Sequence, residues 1–275
     1  MPFTFAHPAA VVPLQRRLGR WGVLSALVIG SMVPDLSYFL FYYLPFHVAR
    51  SESHNLRGLV WFCVPAGLVC YAIFHTVLAR PAVDLLPAPL RQHCGALLAG
   101  RARPPWKAIV ASVFVGAATH VAWDAFTHAG APIVRVSRAL RFHLWTISGY
   151  PVSVYTILQH VSTLAGLALV FVWVRRWSRE RPAAAPPAGF TLGARARSLA
   201  IVAIAVATLL LWMGSGGIAP LREPTLRGVQ LFFRRAVPPG IASACVALGA
   251  YALLWQLAAR AQRAPAPSAS RTALP

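Results

Sequence analysis

Acidic side chains are scarce in this chain: only 6 of its 275 residues are Asp or Glu, against 26 Lys and Arg. Charged residues make up 12% of the sequence, about half the share found in soluble domains, so a water-soluble surface of this size is not available. Cysteine is sparse as well. Cys63, Cys70, Cys94 and Cys245 form no CxxC pair, and three of them lie inside apolar runs. Neither a disulfide framework nor a thiolate metal site is expected. No GxSxG, no P-loop and no GxGxxG in a strand–helix context occurs, so serine hydrolase, NTPase and dehydrogenase readings have no support. The net charge is +20. It comes without a zinc finger, helix-turn-helix or RNA-binding signature, so the arginines are assigned to membrane topology and anionic lipid and no nucleic-acid partner is expected. A signal peptide is not expected either. No basic residue precedes the first apolar run, and Pro2, His7, Pro8 and Pro13 interrupt it.

What the chain does have is apolar length. It is 57% hydrophobic, with a mean hydropathy of +0.60. Six spans are predicted, at 22–44, 57–79, 107–128, 152–174, 198–216 and 239–258. Each is near the ~20 residues that a bilayer requires, and helix is the economical spanning structure because backbone groups cannot stay unpaired in lipid. The expected fold is an all-α polytopic membrane helix bundle with about six transmembrane helices. Residues 1–175 form the membrane domain that carries the polar motifs. A Pro/Ala/Arg-rich cytoplasmic linker follows at 176–197, then a two-helix scaffold at 198–258 and a disordered tail at 259–275. The second loop opens with "RPAVDLLPAPLR", where a short surface helix is expected; Asp84 is placed in that loop. Residues 3–14 are apolar but too short to cross. They form either a re-entrant half-helix that lifts His7 into the membrane or a cytoplasmic arm.

Positive charge sets the orientation. Seventeen basic residues fall before the first span, in the second and fourth loops and in the tail, and nine fall in the other loops. Loops two and four and the C-terminus are expected in the cytoplasm, and loops one, three and five outside.

Within the spans, an ionisable residue costs a few kcal/mol or more and is a functional candidate by default. Asp35 follows Pro34 in "GSMVPDLSYFL". His120, Asp124 and His128 recur at i, i+4 and i+8, which on a continuous helix is one face. His54 lies in the outward loop "SESHNLRGL". Carboxylate and imidazole are ligand types for zinc and similar divalent ions, and three separate segments bring them to the same membrane face. The plainer alternative is a polar seam that hydrogen-bonds neighbouring helices. Tyr155, Gln159 and His160 enter the fourth span from that face and are expected to support the site or touch substrate. Arg135 and its neighbours in the third loop are placed to meet a phosphate headgroup. His47, His75, His93 and His143 are read as ordinary loop or inner-side residues.

"PFTFAHPAAVVPL", "ALVIGSMVPDLSYFL", "HVAWDAFTHAG" and "YTILQHVSTLAG" together resemble the bacterial membrane family known as domain of unknown function 4184, over residues 1–175 by motif. A more distant similarity is to the YdjM-like inner-membrane metal-dependent hydrolases. That similarity implies His7, Asp35, His54, His120 and Asp124 as ligands and favours the re-entrant segment. The loop motif departs from that group, being a single "SHN" without a doubled histidine. The implied activity is a membrane-embedded, metal-dependent hydrolase using zinc or manganese, with His128 as a further ligand and Asp35 or Asp124 as proton acceptor. It would act on a lipid or lipid-linked (phospho)ester at the outer face of the bacterial cytoplasmic membrane, with membrane lipids as partners. A transporter would need a polar path to the inner side, and the inner halves of the spans are apolar.

Overall fold

The computed structural model describes residues 3–40, 42–43, 48–100, 103–147, 149–180, 190–215 and 235–262. Proline and glycine cut the N-terminal part into short pieces. Helix α1 (Pro8–Leu18) starts on Pro8, whose missing N–H costs nothing in a first turn, and ends at Gly19, which has a φ of +51°. Helix α2 (Leu24–Gly30) is followed by a 3-10 turn at Val33–Asp35 and by α3 (Leu36–Leu40). The predicted first span is therefore broken. Pro34 has no N–H to give to an i−4 carbonyl, and the apolar stretch Leu24–Phe39 is shorter than a full span. Asp35 sits at the break.

Among the described residues, five helices are long and apolar enough to cross a membrane. These are α5 (Leu56–Asp84), α7 (Trp106–Thr127), α10 (Val154–Arg179), α11 (Ala194–Gly214) and α12 (Val237–Ala261). The chain is thus an all-α polytopic bundle, with a broken pair in place of a sixth full helix. Leu164, Phe171, Leu199, Leu210 and Leu254 lie exposed on its outer surface. That pattern suits contact with lipid tails and would be costly in water.

Shorter elements join the spans: α4 (Arg50–Ser53), α6 (Ala88–Ala99), α8 (Pro132–Val136) and α9 (Arg138–Arg141). The segment "RPAVDLLPAPLR" does not form a surface helix of its own: its first five residues end α5 at Asp84, and its last four begin α6, which starts just after Pro87. A small antiparallel hairpin, β1 (His143–Ile147) with β2 (Tyr150–Ser153), was not foreseen. "HLWTI" is rich in β-forming residues, and Gly149 adopts the positive φ of +78° that the turn requires. The middle of the linker (181–189) and most of the tail (263–275) lie outside the described residues.

The centre of the bundle is the contact of α2 with α7. It is made by small residues, as in many membrane helix pairs. A Cβ on Gly116 would overlap the carbonyl oxygen of Leu27, and one on Gly30 would overlap that of Val113. Ser112 ties the same pair together by accepting from Val23 N (2.9 Å) and donating to Trp21 O (2.8 Å). Helix α5 closes the other side, with Gly67 against Val113 and with Phe62 and Cys63 buried. The N-terminal turn Thr4–Ala6 is held on α10, where Gly166 admits Ala6 and Thr163 Oγ1 accepts from Phe3 N (3.1 Å).

The two-helix scaffold is fastened to α5 through Asp84. This residue ends α5 and is 3% exposed, rather than lying in the loop. Its carboxylate accepts from Trp255 Nε1 (2.9 Å), Leu192 N (2.8 Å) and Arg197 Nη2 (3.4 Å). Arg197 Nε also donates to the Asp84 carbonyl (2.6 Å). Asp84→Ala strands Trp255 Nε1 and Leu192 N, while Arg197 keeps its bonds to the Leu192 carbonyl and to the backbone carbonyl of residue 84, and the change is expected to cost about 2–3 kcal/mol. Thermal unfolding in detergent should show a lower midpoint.

Candidate metal centre

His120 and Asp124 share the inward face of α7, and both are buried against the break after α2. That break supplies the first positioning bond. In a continuous helix the Asp35 N–H would take the Ser31 carbonyl; here it donates to Met32 O (3.2 Å). The Ser31 carbonyl is left to His120 Nδ1 at 2.8 Å. A carbonyl only accepts, so Nδ1 carries the proton and His120 Nε2 presents a lone pair.

His54 is arranged in a similar way. It caps α4, and its Nδ1 lies 2.8 Å from Ser53 Oγ. The Ser53 hydroxyl donates to Arg50 O (3.4 Å), which leaves its oxygen to accept from Nδ1 and frees His54 Nε2. The turn into α5 is fixed by Asn55, whose side chain accepts from Gly58 N (2.7 Å). Asp35 uses one oxygen, Oδ2, to accept from Thr4 Oγ1 (2.7 Å). Its Oδ1 lies 3.4 Å from His54 Nε2 and 3.7 Å from His120 Nε2.

Asp124 is the hub. Its Oδ2 accepts from Arg50 Nη2 (2.7 Å) and lies 3.4 Å from both His54 Nε2 and His120 Nε2. Its Oδ1 faces His7 Nε2 at 3.7 Å and His128 Nδ1 at 3.4 Å. The His7 ring stacks on His120 with centroids 3.7 Å apart. His128 reaches the site by a different route from the expected one. Helix α7 ends at Thr127, and His128 is extended (φ −117°, ψ 139°), so it is not the third member of one helical face.

Six buried nitrogens and oxygens here have no hydrogen-bond partner: Nε2 of His7, His54, His120 and His128, and Oδ1 of Asp35 and Asp124. Each such atom costs about 1–3 kcal/mol when left alone. A group of them in one place offers a set of ligand atoms that a single ion could satisfy together. One atom each from Asp35, His54, His120 and Asp124 lie within 4.8 Å of one another. Tetrahedral ligands at ~2.0–2.1 Å from a divalent ion stand ~3.3–3.4 Å apart, which is close to the spacings above. These four residues can hold a metal ion, with His7 and His128 beside them.

The other predicted site residues do not join this cluster. Tyr155 and Gln159 are half-buried on α10, His160 is exposed on it, and Arg135 is exposed on α8. Among the described residues, none of these four side chains bonds to the centre. Helix α10 contributes Thr163 and Gly166 instead, through the N-terminal turn that carries Thr4 and His7. Arg50, Thr4, Ser31 and Ser53 are the participants the sequence did not reveal. Arg50 reads there as one more loop charge, and a backbone carbonyl leaves no trace in residue type.

No curated protein and no solved structure matches the chain. A family model does match, across residues 1–253, which include every member of the centre. The chain belongs to the family described as domain of unknown function, DUF4184.

Proposed function

We propose that this protein is a membrane-embedded, metal-dependent hydrolase that acts on a lipid or lipid-linked ester at the outer face of a bacterial cytoplasmic membrane. The observation that carries this reading is the convergence of the unpartnered Nε2 of His54 and His120 and Oδ1 of Asp35 with the Asp124 carboxylate, from three separate segments, on one buried point. Asp35, His54, His120 and Asp124 hold the ion, and the nitrogen and oxygen donors suit zinc or manganese. When bound, such an ion polarises an ester oxygen and lowers the pKa of water. Asp124 Oδ1, open towards His7 and His128, takes the proton that the attacking water gives up. Thr4 and Ser31 hold Asp35 and His120 in place. The arginine distribution supports an orientation with the site end of α7 outside and the C-terminus in the cytoplasm.

The test is metal content, by inductively coupled plasma mass spectrometry, of tag-free protein purified in detergent. About one divalent ion per chain is expected in the wild type, and a small fraction of that in His120→Ala. Wild-type protein that stays metal-free after reloading would leave the polar seam as the better reading. A metal-loaded protein would then go to a screen of lipid phosphoesters and carboxylic esters.

A further inference from the structure

We propose that Arg50 is the phosphoryl-binding residue of this centre, so that the substrate is a phosphate ester rather than a carboxylic ester; this rests on the metal-centre reading above. Arg50 opens α4, at the edge of the site. Its side chain is 29% exposed, against 4% for the Asp124 carboxylate it touches. One guanidinium nitrogen, Nη2, donates to Asp124 Oδ2 at 2.7 Å. Nε is buried without a hydrogen-bond partner. A guanidinium has five N–H donors in a planar fork, which matches two oxygens of a phosphoryl group.

Charge points the same way. A divalent ion is neutralised by Asp35 and Asp124, the two carboxylates of the centre. Arg50 then leaves the site with one positive charge in excess. A metal centre gains no affinity from a cation bonded to one of its own ligands; the cation competes for that oxygen. A phosphodiester brings the one negative charge that balances it, while a neutral carboxylic ester brings none. In the hydrolysis, the water oxygen forms the new P–O bond and the ester P–O bond breaks. The electron pair leaves on the alcohol oxygen, which ends with a proton from water. No oxidant or reductant is involved.

The experiment uses full-length, metal-loaded protein in detergent, with phosphate binding followed by phosphorus NMR and metal content measured on the same samples. The probes are inorganic phosphate and phosphatidic acid in mixed micelles. Arg50→Gln is expected to keep its metal and to bind phosphate at least about tenfold more weakly, with Arg50→Lys in between. Binding of both probes identifies the phosphoryl group itself as the ligand; binding of phosphatidic acid alone identifies a lipid headgroup, and either supports the assignment. Arg50→Gln with unchanged metal content and phosphate affinity within about twofold of wild type overturns it. Loss of metal in both variants also overturns it, making Arg50 a prop for Asp124. Wild type without metal removes the centre itself, which is a separate result from either of these.

Discussion

Asparagine at position 124 is expected to empty the metal centre of a protein that still folds. Asp124 is the residue on which the site depends most, because its two oxygens face all four imidazoles of the centre. Oδ2 meets Arg50, His54 and His120, and Oδ1 meets His7 and His128. The amide keeps the size and one acceptor oxygen, so Arg50 can still donate to it. The negative charge is lost, and one former oxygen becomes an NH2 that no ion accepts as a ligand. Affinity should fall by at least about 100-fold, beyond the loss seen on removing a group that merely orients a ligand. Stability gives an independent reading. Saturating metal at 100 times Kd stabilises the wild type by about 2.7 kcal/mol, and Asp124→Asn should gain almost none of this. Thermal unfolding with and without zinc measures both proteins. A wild-type metal shift in the asparagine variant would mean that the centre lies elsewhere.

The second large effect lies away from the polar residues. Gly116→Leu should separate α2 from α7 and lose both the fold's stability and the metal. At this position the neighbours of an added Cβ are backbone atoms, the Leu27 carbonyl, the Ser31 nitrogen and the Gly30 carbonyl carbon. Backbone cannot rotate away as a side chain can, so the helices must part, at a cost of about 3 kcal/mol or more. Their separation withdraws the Ser31 carbonyl from His120 Nδ1 and moves Asp35 away from His120 Nε2. The control is Gly249→Ala on α12, where nothing lies within 4 Å of the new Cβ. The control should unfold and bind metal as the wild type does. A Gly116→Leu protein with an unchanged midpoint and full metal content would show that the close approach of α2 and α7 is not what sets the site.

These two predictions separate what can be read from residue type from what depends on packing. The sequence by itself determined the all-α membrane class, since runs of ~20 apolar residues have one economical structure in lipid. It also marked Asp35, His54, His120, Asp124 and His128, because ionisable groups are rare in such a chain and conspicuous where they occur, while His7 was implied only by the resemblance to the YdjM-like hydrolases. Only the tertiary structure decided how they meet. It broke the first span at Pro34, which releases the Ser31 carbonyl for His120. It ended α7 at Thr127, so that His128 reaches Asp124 from outside the helix. It drew Arg50 out of the loop charges and onto Asp124, and Asp84 out of the second loop into the clasp with Trp255. It left Tyr155, Gln159, His160 and Arg135 without a bond to the centre among the described residues. The physical reason is the same in each case. Hydropathy and spacing report where a residue lies along its own helix, whereas a hydrogen bond across helices is set by how closely their backbones approach. Here that distance is governed by two glycines, Gly30 and Gly116, which stand 86 positions apart in the chain.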